Sequence, residues 1–187
     1  MPMKSYSGAI IAALISLCFV FSCSKKEKKV ENAPLDSTKT ISYISEEISF
    51  AVFFDEGGTK RTLTLDGGAT QTKIYLFVNF PETMKISAVE YRLSLPQGVT
   101  IENDKSYKER VALMGTFEDG ISETFPCAAG PRVLLHTLAV NVPSGLKNAE
   151  FAILSSKDND FLGVATCDEG LPMLEGSSYR AVMNPTE

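Results

Sequence analysis

The sequence predicts an all-β protein, a single antiparallel β-sandwich of about nine or ten strands. Three observations carry this. Short apolar or alternating runs recur at spacings of about ten to fifteen residues, and Gly, Pro, Asn or Asp close each one. No stretch of useful length repeats its apolar residues at the period of an amphipathic helix. Past residue 40 the chain holds roughly 150 residues, enough for one well-buried core and few for two domains.

Residues 1–22 read as an export signal. Lys4 supplies a positive charge ahead of the apolar stretch Ala9–Phe21. That stretch suits a signal-peptide core and falls short of the roughly twenty residues a spanning helix needs. Val20 and Ser22, placed before Cys23, resemble the lipobox of bacterial lipoproteins. The resemblance implies that Cys23 becomes the first mature residue and carries the lipid. Each acyl chain would add about 0.8 kcal/mol per buried methylene. Cys18 follows Leu17, which a peptidase pocket for small residues rejects. An uncleaved anchor helix and an ordinary secretory signal are the alternatives. Ser24, rather than Asp, after the cysteine is similar to the outer-membrane sorting choice of Gram-negative lipoproteins. The expected location is therefore the cell envelope, outside the cytoplasm, with the membrane itself as one partner. Residues 23–40 form the lipidated cysteine and a tether. They are rich in charge, contain a proline and have too little apolar surface to offset ordering entropy.

The sandwich is expected over residues 41–187. Ile48–Asp55 is rich in β-formers, and Asp-Glu-Gly-Gly turns it. Thr59–Leu65 alternates polar and apolar residues. Lys73–Phe80 reads as a buried strand. In Ser87–Leu95, Val89, Tyr91, Leu93 and Leu95 share one face, while Glu90, Arg92 and Ser94 share the other. Pro96 and Gly98 end it, with Val99–Glu102 a short continuation. Glu109–Phe117, Ile121–Cys127, Arg132–Val142, Glu150–Ser155, Phe161–Cys167 and Tyr179–Met183 complete the set. The acidic–glycine clusters between them are hairpin chemistry: Asp bonds its own turn backbone and Gly tolerates positive φ.

Composition excludes several classes. A net charge of −5 argues against nucleic acid, which calls for a basic patch to displace counterions. Cys127 and Cys167 remain as an even pair in an exported chain, which favours a disulfide over two buried thiols. A zinc site lacks ligands: two distant cysteines and one histidine do not make four at metal spacing.

Lys73–Asn103 contains a buried strand with the pair Val78–Asn79, then an alternating strand ending in Leu95-Pro96-Gln97-Gly98-Val99. This layout, with the later Val133–Pro143 and Ala149–Leu154 segments, resembles cohesin-type and related carbohydrate-binding-type sandwiches over about Ile48–Cys167. The resemblance implies a nine-stranded, jelly-roll-like sandwich that holds a ligand, and it transfers no binding residue.

No motif in the chain carries catalysis. His136, the one histidine, lies inside an apolar strand, so a buried imidazole bonded to backbone or hydroxyl partners is expected. Asp158, Asn159 and Asp160 offer oxygen ligands for Ca²⁺, although their spacing lacks the Asp-x-Asp-x-Asp-Gly pattern and a turn accounts for them. Glu90, Glu102, Glu118 and Asp119 are the acids from which a glycoside-cleaving pair would have to come. The expected function is a non-enzymatic binding or adhesion module for a protein or polysaccharide at the envelope. Absence of tryptophan weighs against a glycan platform, leaving Tyr43, Tyr107 and Tyr179 as substitutes. A subunit of an envelope assembly is the alternative, and an exposed apolar face or unprotected edge strand would favour it.

Overall fold

Thirteen strands and no helix make up the described residues, 47–106 and 109–186, of the computed structural model. One sheet is built from β1 (Ser49–Phe53), β3 (Thr70–Asn79), β5 (Thr100–Ser106), β8 (Arg132–Val142) and β12 (Ser177–Tyr179), in the order β12-β1-β3-β8-β5. The facing sheet is centred on β4 (Lys85–Ser94). β7 (Gly120–Ala129) pairs with one edge of β4, and β6 (Ala112–Thr116) pairs with β7. Along the other edge of β4 run β9 (Ala149–Leu154) and β10 (Gly163–Thr166), end to end, with residues 155–162 looping out between them. β13 (Ala181–Met183) and β2 (Thr62–Leu63) extend the sheet beyond β9, and β11 (Met173–Glu175) extends it beyond β10.

The sandwich thus matches the expected class but has more strands. The difference lies mainly in residues 173–183, where one C-terminal strand was expected and three occur. The chain visits the eight-stranded sheet, crosses to the five-stranded sheet and returns, three residues at a time. Segments that short cannot display an alternation. Gly176 makes the first crossing, where a Cβ would press on the Phe50 ring at 2.9 Å and on Ile48 at 3.0 Å. Because the chain changes sheets without reversing, β12 meets β1 in parallel and β13 meets β2 in parallel. The sandwich is therefore not wholly antiparallel.

A second correction concerns β5, which continues to Ser106 instead of ending at Glu102. Asn103, Asp104 and Lys105 look like loop because an edge strand can be polar on both faces.

Between the sheets lies one large core. Phe50 of β1 meets Tyr91 of β4 at 6.0 Å between ring centroids, and Phe54 meets Phe151 of β9 edge-on at 5.6 Å. Each such large apolar side chain contributes about 1.5–3 kcal/mol on burial. The β4 alternation holds, with Val89, Tyr91 and Leu93 buried and Leu95 half-buried against the core. Cys127, on a bulged part of β7, is bonded to Cys167 just beyond β10, with Cα atoms 6.0 Å apart. The bridge fastens the two strands that flank the start of β4.

Candidate functional site

Two basic side chains, Arg132 and His136, stand four residues apart on β8. In a regular strand they would share a face. They do not, because β8 carries a bulge. His136 pairs with Leu76 while Leu134 pairs with Phe77, leaving Leu135 as the extra residue. Val133 and Leu135 face the core before the bulge, and His136, Leu138, Val140 and Val142 face it afterwards. Arg132 therefore projects from the outer surface of the sheet and His136 from the inner one.

His136 is fully buried, and both its nitrogens meet carboxylates. Nδ1 lies 2.6 Å from Asp104 Oδ1 on β5, and Nε2 lies 2.6 Å from Glu123 Oε1 on β7. The expectation of backbone or hydroxyl partners is overturned: Asp104 comes from β5, the edge strand paired with β8, and Glu123 from β7 of the facing sheet, and only registration identifies them. The Tyr91 hydroxyl donates to the same Glu123 oxygen at 2.7 Å. Phe117 closes the site with its ring edge-on to the imidazole, 5.0 Å away. Burial pulls the His136 pKa down, but its hydrogen bonds and charge interactions with Asp104 and Glu123 outweigh that and leave it raised above 6.5. Burial, reinforced by the Glu123 charge and hydrogen bond, drives the Tyr91 pKa far up and keeps the phenol neutral. His136 and Glu123 are at 0 % side-chain exposure, while Asp104, at 29 %, reaches solvent.

Glu123 and Asp104 were missed from sequence. Glu123 did leave a signal, since Ile121, Glu123 and Phe125 alternate onto one face and place a carboxylate between two core residues. Asp104 left none inside its polar run.

On the outer surface, the Arg132 guanidinium lies 3.9 Å from the Phe77 ring centroid and 4.8 Å from that of Phe53. It donates to the carbonyls of Gly57 and Gly58 at 3.0 and 3.1 Å. Gly58 is required there, because its φ is +60° and a Cβ would collide with the guanidinium. The same loop is folded by Asp55, whose Oδ1 accepts the amides of Thr59 and Lys60 at 2.8 and 2.5 Å. Arg132 thus seals an aromatic patch instead of presenting a free charge.

The surface feature of most consequence is β6. All five of its residues are exposed, none is charged, and among the described residues it pairs with β7 alone. Met114 is 69 % exposed, and Val111 just before the strand is 73 % exposed. The other edges are blunted: β2, β11 and β12 have two or three residues, and β5 carries Glu102, Asp104 and Lys105.

The remaining sequence candidates are scattered. Cys23, the signal, the tether, Tyr43 and Tyr107 lie outside the described residues. Asp158, Asn159 and Asp160 sit in a turn that Asn159 ties to β4 by donating to Glu90 at 2.8 Å and that the Asp160 amide closes on the Ser156 carbonyl of the same loop at 3.0 Å. Among the described residues no group of three or more His, Cys, Asp or Glu side chains is arranged to hold a metal. Glu90 also accepts from the Ser156 hydroxyl, Glu102 accepts from Asn141, and Asp119 pairs with Lys157 at 2.8 Å. Glu118 is exposed on a turn. Tyr179 is 40 % exposed, with the Arg61 guanidinium 5.7 Å from its ring centroid. A shallow cleft, lined by Leu65, Gly67, Gly68, Pro143, Lys147 and Asn184 among others, has no acidic residue in its lining.

No family model matches the sequence, and no curated protein matches it. Solved structures do match. The seventh ScaB type I cohesin of Pseudobacteroides cellulosolvens superposes with a TM-score of 0.51 at 9 % identity, covering 75 % of this chain and 92 % of that one. The sixth cohesin of Acetivibrio cellulolyticus scaffoldin B, solved in complex with a dockerin, gives 0.51 at 9 % identity over 75 % and 99 %. A type III cohesin from the cell-surface anchoring scaffoldin ScaE of Ruminococcus flavefaciens gives 0.50 at 10 % identity over 83 % and 94 %. At these identities the likeness is one of fold, and the fold is a cohesin-type β-sandwich.

Proposed function

We propose that this chain is a non-catalytic protein-binding module held at the cell envelope by a lipid on Cys23. The observation that carries the binding half is β6, an uncharged apolar edge with no second strand on it among the described residues, where the other edges are short or charged. Such an edge offers unpaired backbone groups to an extended segment, the mode of β-strand addition. Its occupant is an extended, uncharged protein segment, because a charged one would meet only Ala112, Leu113, Met114, Gly115 and Thr116. One of the fold neighbours is itself a cohesin bound to a dockerin protein, which supports a protein partner over a glycan. Tyr179 as the sole large exposed aromatic among the described residues points the same way. The non-catalytic half is supported by the acids: Glu90, Glu102 and Asp119 each hold turns or neighbouring strands, and Glu123 is fully buried against His136. The anchor rests on the residues around Cys23.

A photo-crosslinking residue placed at Met114 in intact cells, with Lys105 on β5 as control, tests the binding reading. One protein should be joined at Met114 in stoichiometric yield, through a segment that mass spectrometry maps as uncharged and β-forming. Equal labelling at both positions, or specific glycan binding by the purified protein, would overturn it. An adduct to a second copy would move the reading to self-assembly. For the anchor, Cys23→Ser should leave an unprocessed precursor that takes up no labelled palmitate, and normal processing would remove that claim.

A further inference from the structure

Contacts of 2.6 Å on both nitrogens of one imidazole set a condition on its protons. A neutral ring carries one N–H, so on one side it would set a lone pair against a carboxylate oxygen. Only the imidazolium donates to Asp104 and Glu123 together. These carboxylates belong to opposite sheets, Asp104 to edge strand β5 and Glu123 to β7. The polar groups facing the ring from the packed elements are Asp104, Glu123 and the Tyr91 hydroxyl of β4. Arg110, just ahead of β6, acts on Tyr91 through its charge. Phe117 contributes only an aromatic edge.

We infer that His136 is a proton-loaded latch between the two sheets: charged, it ties β5 to β7, and on losing its proton it lets β5 and the β6–β7 hairpin part. The device does not depend on what binds at β6. Asp104, partly open to solvent, gives the proton its way out. The two carboxylates hold the ring's pKa above 6.5, so the latch stays shut to a higher pH than a free imidazole would keep its proton. Its stabilisation is complete below the unfolded-state value and is lost as pH rises through the raised folded value.

His136 is the chain's one histidine, so its ring signals give an unambiguous NMR titration in the intact protein. The midpoint should lie above 6.5, and Asp104→Asn should lower the ring's proton affinity about tenfold. Amide exchange in β5 and β7, corrected for its intrinsic pH dependence, should rise with the same midpoint and already be raised at neutral pH in Asp104→Asn. A midpoint at or below 6.5 overturns the latch, and so does exchange in β5 and β7 that ignores the titration. Asp104 is partly exposed, so its substitution carries the test even where a change at fully buried Glu123 prevents folding.

Discussion

Arg132 and His136 occupy one strand, four residues apart, and each is surrounded by aromatic rings, yet they do opposite work. Arg132 lies on the outer face between Phe53 and Phe77 and donates to backbone carbonyls of a loop. His136 lies on the inner face and donates to ionisable partners from both sheets. The outer cation lies against π-faces and carbonyl dipoles at a partly wet surface. Inside a dry core an uncompensated charge is costly, so the histidine comes with two carboxylates and a phenol. One extra residue, Leu135, separates the two outcomes by reversing the strand's phase.

Substitutions can break this contrast, and the inner site should respond most. Glu123→Ala strands the Tyr91 hydroxyl and a charged His136 in the core and should cost about 3–5 kcal/mol, measured by urea unfolding at neutral pH. A loss below that of Arg132→Ala would mean that the cluster is not ionised. Next comes the covalent support of the same strand, since Cys127 lies on β7 four positions beyond Glu123. Replacing Cys127 and Cys167 by Ser opens a loop of 40 residues and should cost about 2–4 kcal/mol, without moving the His136 titration. Arg132→Ala should cost about 2 kcal/mol through lost stacking and packing.

A pH series sharpens the comparison further. The Arg132→Ala deficit should stay level with pH, because guanidinium does not titrate. The deficit of Glu123→Gln should shrink as pH rises through the raised His136 value, where wild type loses the same interaction. Parallel pH curves for the two variants would contradict the assignment of charge to His136. Smallest of all is Lys157→Ala, which removes an exposed pair with Asp119 and should leave the unfolding midpoint within error.

Much of the fold was legible along the chain, because alternation at period two marks strands that are long and buried on one face. Ser87–Leu95 and Arg132–Val142 show this, and they became β4 and β8. Pieces lacking that pattern were illegible: the polar edge of β5 and the three-residue strands near the C-terminus. For the candidate site the line falls differently. Burial of His136 followed from its apolar neighbours, while its partners did not, since Asp104 and Glu123 reach it only through sheet registration. The openness of β6 was equally hidden. Glu109–Phe117 reads as an ordinary strand, and an edge is defined by the neighbour it lacks.

The amino-acid order by itself determined that this chain is β-rich, is mildly acidic and has a single histidine among apolar residues. These are local properties, set by what each few residues can bury or expose. Tertiary structure alone decided which way His136 faces, which acids meet it and which strand is left at an uncharged edge. The facing of His136 and the acids that meet it depend on a one-residue slip between strands far apart in sequence, which in a sheet exchanges inside for outside, and the edge depends on which strands pair.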